Sequence, residues 1–147
     1  MNESHAHNRW RIAFRGFVIW LMLIAAEIFH GVFRTIALMP LIGEFRSNQL
    51  GVFSGSLIIL LIASITIRWI GARRSNELLM IGLLWLVLTV AFEVLFGRFA
   101  MGLTWERIAS DYNLFKGGLM PLGLLTLFFS PMIAAKVRSS IDRHKVR

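Results

Sequence analysis

Glu27, His30 and Arg34 sit inside an otherwise apolar run, 17–39, at spacings that place them on one stripe of a helix. A carboxylate, an imidazole and a guanidinium on one face can hold and pass a proton, or clasp a charged ligand. Ionisable groups at membrane depth are costly, so they are rare and need partners. With a rise of about 1.5 Å per residue, Glu27 falls roughly 15 Å into the run, near the middle of a bilayer, and Arg34 about 10 Å further out. At that depth Glu27 is expected to be protonated or paired.

Glu93, near the end of another apolar run, comes out at nearly the depth of Arg34, and Arg98 follows it. A bridge between Arg34 and Glu93 would neutralise both where lone charges are disfavoured. Thr89 lies one turn inward of Glu93, and Ser64 and Thr126 fall near the middle of their own runs. The expected site is therefore built from Glu27, His30, Arg34, Glu93 and Arg98. Glu27 is its titrating group, His30 the proton partner, and the arginines hold Glu93 or an anionic ligand. Polar side chains that merely tie helices together would account for Arg34 with Glu93. They leave Glu27 and His30 over, because one ion pair suffices as glue.

Other chemistries lack parts. Glu27-x-x-His30 has the spacing of a carboxylate-bridged di-iron bundle, which needs a second such motif and two further glutamates. Glu93 is followed by Leu95 and Phe96 with no histidine, and His5, His7 and His144 lie in tails. No metal and no cofactor are expected. The absence of cysteine excludes disulfides and thiolate metal sites. No Ser-His-Asp set and no phosphate-binding glycine loop is visible. No catalytic residue is assigned, and a membrane enzyme acting on lipid or quinone is the weakest reading.

The elements that must position these residues follow from hydropathy. The 147 residues are 56% hydrophobic and only 16% charged, with a mean hydropathy of +0.67, too apolar for a typical soluble domain. A membrane helix needs about 20 mostly apolar residues. Four runs qualify: 17–39, stopping at Pro40; 52–70, ending at Gly71; 78–96, ending at Gly97; and 115–135, containing Pro121 and Pro131. The expected architecture is all-α, a polytopic four-transmembrane-helix bundle forming a single domain over 1–147. Arg9, Arg11 and Arg15 ahead of an apolar run resemble a signal peptide, but Leu23 and Ile24 are wrong for the positions a cleavage site would need. The first run is read as an uncleaved span.

A net charge of +8 and a pI near 11.5 would suit nucleic acid, but no aromatic–basic platform or groove-reading helix accompanies them, and no nucleic-acid partner is expected. The basic residues distribute as in a membrane protein. Arg9, Arg11, Arg15, Arg68, Arg73, Arg74, Lys136, Arg138, Arg143, Lys145 and Arg147 fall on one side. Arg34, Arg46, Arg98, Arg107 and Lys116 fall on the other. This bias puts both termini in the cytoplasm, with Trp20 and Trp69 toward that interface. Most acids distribute the other way, with only Glu3, Glu77 and Asp142 on the cytoplasmic side. The site is thus expected to open outward.

Between the third and fourth runs, Thr104 can cap a short helix, 104–112. Trp105, Ile108, Ala109 and Tyr112 form its apolar face, with Glu106, Arg107 and Asp111 largely opposite. The pattern predicts an interfacial helix, with Trp105, Glu106, Asp111 and Tyr112 as candidate lid residues. Gly51 and Gly55 form a small-xxx-small pair suited to close helix approach, within the chain or between copies. Gly117-Gly118 reads as close packing at the start of the fourth span. A faint duplication relates Glu27 with Phe53-Ser-Gly-Ser-Leu57 to Glu93 with Phe115-Lys-Gly-Gly-Leu119, as parallel repeats would, though the spacings differ.

Gly97-Arg98, Met101-Gly102, Trp105-Glu106-Arg107, Asp111-Tyr112-Asn113-Leu114 and Gly117-Gly118-Leu119 together resemble a family of small uncharacterised four-span bacterial inner-membrane proteins. The likeness extends through 27–34 and so over most of the chain. The resemblance implies a bacterial cytoplasmic membrane and brings no activity or functional residues. The expected partners are the lipid bilayer and a small ligand, ion or proton. The expected role is that of a membrane protein with an outward-facing intramembrane site for such a ligand, of which a small transporter is one form. The alternative is an accessory or assembly subunit of a membrane complex whose polar stripe pairs with partner helices; a second copy of the chain or a membrane-complex subunit is the further expected partner.

Overall fold

The computed structural model describes the backbone of residues 2–145 and the side chains of 7–144. Glu3, His5, Lys145 and Arg147, which entered the tallies above, lie outside the described side chains. Among the described residues the chain is all-α, with no strand. Helix α1 (Asn2–Phe33) runs through a π turn (Arg34–Leu38) into the short α2 (Met39–Ile42). Then come α3 (Glu44–Ile70), α4 (Ser75–Leu95), a second π turn (Phe96–Ala100), the short α5 (Trp105–Asp111), a 3-10 turn (Leu114–Lys116) and α6 (Met120–Lys145). Four stretches are long and apolar enough to cross a membrane: His7–Ile42, Glu44–Ile70, Ser75–Ala100 and Met120–His144. The chain is a multi-pass integral membrane protein.

The breaks between helices have local causes. Gly43 (φ 81°) separates α2 from α3, and Gly71 (φ 82°) ends α3; both adopt a backbone conformation that costs glycine nothing. At the start of α4 the Glu77 carboxylate accepts from the backbone N–H groups of Arg73 (2.9 Å) and Arg74 (3.1 Å). Thr104 caps α5 by accepting from Arg107 N. Residues 115–119 open the run expected as the fourth span, yet they form a turn closed by Gly117 (φ 84°), and α6 starts only at Met120. Gly118 is not a helix-packing glycine either. A Cβ there would meet the Ser110 and Asp111 carbonyls at the end of α5.

Helix α1 packs against α3 and α4, and α6 against the same two, so the ring order is α1–α3–α6–α4. This arrangement does not support a parallel duplication. Rotation about the bundle axis preserves ring order, whereas exchanging α1 with α4 and α3 with α6 reverses it.

One half of the bundle, nearer the termini, is dry. Ile12, Ile19, Leu23, Ile67, Ile70, Ile81 and Trp85 are buried there. Lipid is as apolar as these side chains, so close packing and hydrogen bonds, rather than escape from water, hold the helices together. Gly82 supplies the closest approach, because its α-carbon faces the Phe128 carbonyl of α6 with no room for a side chain. Trp85 is fully enclosed and donates through Nε1 to Gly16 O at 2.8 Å. Trp20 does not sit at an interface as its position along the run implied. It is 8% exposed and donates to Thr89 Oγ1 at 3.0 Å. Trp69 is exposed, with the Arg15 guanidinium over its ring at 5.2 Å.

Pro131 lies inside α6, fully buried, and has no N–H to give to the carbonyl four residues back. That carbonyl belongs to Leu127, and Ser130 Oγ donates to it at 2.7 Å. Backbone groups in hydrocarbon must be satisfied internally, and the Ser-Pro pair does this at the break it creates.

Candidate functional site

Beyond the Trp20–Thr89 bond the dry core gives way to a cavity of about 370 Å³, framed by α1, α3, α4 and α6. Glu27, His30, Arg34 and Glu93 all line it, with Thr89 and Ser56 the other polar side chains. Four of the five expected site residues therefore meet. The remaining one, Arg98, is turned away: its guanidinium donates to Leu103 O at 3.2 Å and lies over the Trp105 ring at 5.5 Å. Ser64 is not part of the lining, and Thr126 bonds back to Leu122 O on its own helix.

The α1 stripe is matched by one on α3. Asn48, Gly51 and Gly55 repeat the spacing of Glu27, His30 and Arg34, and the two helices run antiparallel. Arg34 donates to Asn48 Oδ1 and passes over Gly51, where a Cβ would come within 2.6 Å of its Cδ. Gly55 faces the Glu27 carboxylate, which a Cβ would meet at 2.8 Å. These glycines make room for charged side chains as much as for a neighbouring backbone. The expected Arg34–Glu93 bridge is not among the ion pairs of the described residues; a neutral amide on α3 takes the guanidinium instead.

His30 links α1 to α3. Its Nε2 is 2.7 Å from Ser54 Oγ, and that hydroxyl donates to Leu50 O at 2.8 Å. A serine has one proton to give, so it accepts from Nε2–H. Nδ1 then faces Glu27 Oε2 at 3.4 Å. Attraction across that gap requires one proton held between them, on the carboxyl or on the ring. Glu27 Oε1 is buried with no hydrogen-bond partner.

Glu93 has only one contact of this kind among the described residues, with Tyr112 Oη 3.5 Å from its Oε2, at the limit of a hydrogen bond. Burial pushes the Tyr112 hydroxyl up to about 12, helped by the Glu93 charge beside it. Tyr112 is thus the candidate lid residue that reaches the site. Trp105 is exposed beneath Arg98, Glu106 is exposed, and Asp111 pairs with Arg107 at 3.7 Å. Arg107 also reaches Glu44 at 3.6 Å, tying α5 to the start of α3. None of the α5 side chains lines the cavity.

Both π turns begin just beyond the site's acids, at Arg34 and at Phe96. Such turns are found disproportionately at functional positions, where they re-aim side chains. Among the described residues no group of three His, Asp or Glu side chains could hold a metal ion. Protein families, curated proteins and solved structures offer no match to this chain, so its functional reading rests on the site itself.

Proposed function

We propose that this chain is a small membrane transporter whose intramembrane site binds a small ligand, ion or proton. The cavity's gathering of Glu27, His30 and Glu93 inside one bundle supports this reading. An accessory subunit would carry its polar stripe on the bundle exterior, facing a partner's helices. Here the exterior positions of α1 are apolar, with Phe29, Val32, Phe33 and Ile36 exposed. Glu27 and His30 form the proton-holding pair, Tyr112 contacts Glu93 from the rim, and Arg34 is braced by Asn48. The charge bias supports an orientation with both termini in the cytoplasm and the cavity toward the outer face. The resemblance noted above favours a bacterial cytoplasmic membrane.

The test is proton movement in proteoliposomes loaded with a pH-sensitive dye and given an imposed pH gradient. Wild-type protein should collapse the gradient about tenfold faster than Glu27→Gln, which keeps the shape of the side chain but holds no exchangeable acid proton. Equal rates in the two proteins would remove Glu27 from any transport step.

A further inference from the structure

The two carboxylates of the cavity lining are short of donors. Arg34 donates to the neutral Asn48 and reaches neither carboxylate, and His30 contacts Ser54 and Glu27. Thr89 already accepts from Trp20. Against these stand Glu27 Oε1, which has no partner, and Glu93, whose sole hydrogen-bond contact among the described residues is the long one to Tyr112. No described cation lies within ion-pair distance of Glu93. The rest of the wall is apolar: Leu23, Ile24, Leu124 and Leu127, with Phe92 and Phe96 stacked at 5.4 Å.

We infer that the cavity binds a small protonated amine with an apolar body. This rests on reading the cavity as a binding site and names what that site takes. The ammonium pairs with Glu93 and gives a second N–H to Glu27, whose terminal torsion is broad enough to turn Oε1 toward the cavity at little cost. An ammonium head carries three donors and a positive charge, and no described residue brings such a charge within ion-pair distance of Glu93. Phe92 and Phe96 favour a cation and an apolar body alike. Hard metal cations fit poorly, since calcium takes six to eight oxygens and magnesium an octahedral shell, which two carboxylates and two hydroxyls do not supply. An anion would meet two carboxylates, with the Arg34 guanidinium as its single arginine partner. The volume falls at the small end of the roughly 300–1,000 Å³ typical of ligand sites.

The experiment titrates wild-type protein in nanodiscs with 2-phenylethylammonium, its trimethylammonium analogue, neutral propylbenzene and anionic 3-phenylpropanoate. The primary ammonium should bind at least about tenfold more tightly than each of the others. Glu93→Gln should lose about tenfold or more, with Glu27→Gln losing less. Gly123→Leu provides a second probe, because Gly123 lines the cavity with nothing within 4 Å of where a side chain would go. Filling that space should abolish binding without touching either carboxylate. Equal binding of propylbenzene, lost in Gly123→Leu, would overturn the amine assignment while leaving the cavity a ligand site. Equal binding of the trimethylammonium compound would overturn the N–H requirement, and tighter binding of the anion would overturn the charge assignment. No binding of any probe overturns the inference. If proton movement is then also unchanged in Glu27→Gln, the transport reading falls with it.

Discussion

A single methyl group added at Gly55 or at Gly82 should separate the site from the scaffold. Both glycines lie inside helices, where alanine is favoured over glycine by roughly 0.5–1 kcal/mol. At Gly82 the new Cβ would run into the Phe128 carbonyl oxygen, which cannot step aside without moving α6. Overpacking of this kind costs about 1–3 kcal/mol, so Gly82→Ala should lose about 1–2 kcal/mol net. At Gly55 the Cβ would meet Glu27 Oε2 at 2.8 Å and Oε1 at 3.3 Å, the far end of a flexible side chain. Turning that carboxylate aside costs about 0.5–1.5 kcal/mol, which the helix preference largely offsets. Stability should therefore barely change, while the 3.4 Å approach of Glu27 to His30 is lost. Equilibrium unfolding in mixed micelles reads the first effect, and 2-phenylethylammonium binding reads the second. A Gly55→Ala protein destabilised as much as Gly82→Ala, or one that binds amine as well as wild type, would refute this reasoning.

Thr89→Val strips the acceptor from the buried Trp20 Nε1–H and should cost about 1–3 kcal/mol by the same unfolding assay; adding Trp20→Phe should cost much less than its own single effect. Tyr112 is the only tyrosine, so tyrosinate absorbance reports it alone. Its midpoint should lie near 12 in the folded protein and near 10 once unfolded. A raised folded value means that the stability it contributes is intact below about pH 10 and fades as pH climbs toward 12. Glu93→Gln should bring the folded midpoint down, and an unchanged midpoint would deny the contact. Arg107→Ala breaks two exposed ion pairs and should cost less than about 1 kcal/mol.

The spans were legible because apolar runs of membrane length have few other uses, and the α1 stripe because helical periodicity fixes which residues share a face. Depth could be counted along each run, and it put Arg34 and Glu93 level. The direction each side chain takes around the bundle cannot be counted in that way. Asn48, which claims Arg34, escaped notice because α3 begins two turns before hydropathy marks its span. The pattern Asn48, Gly51, Gly55 was nevertheless readable as the complement of Glu27, His30, Arg34. Trp20 departed from the interfacial preference of indole because Thr89 offers its N–H a buried acceptor. Gly117-Gly118 suits close helix packing and a turn alike, and only the left-handed backbone of Gly117 decides between them.

The transport site requires the Glu27–His30–Arg34 stripe to face the cavity and not the lipid. The chain has no cysteine, so single cysteines placed through 26–34 can be probed in nanodiscs with a small water-soluble thiol reagent. Cysteines at 27, 30, 31 and 34 should react, and 2-phenylethylammonium should slow them. Those at 29, 32 and 33, whose native side chains are exposed on the far side of α1, should stay inert in lipid. Reaction at 29, 32 and 33 with none at 27, 30, 31 and 34 would contradict the cavity outright.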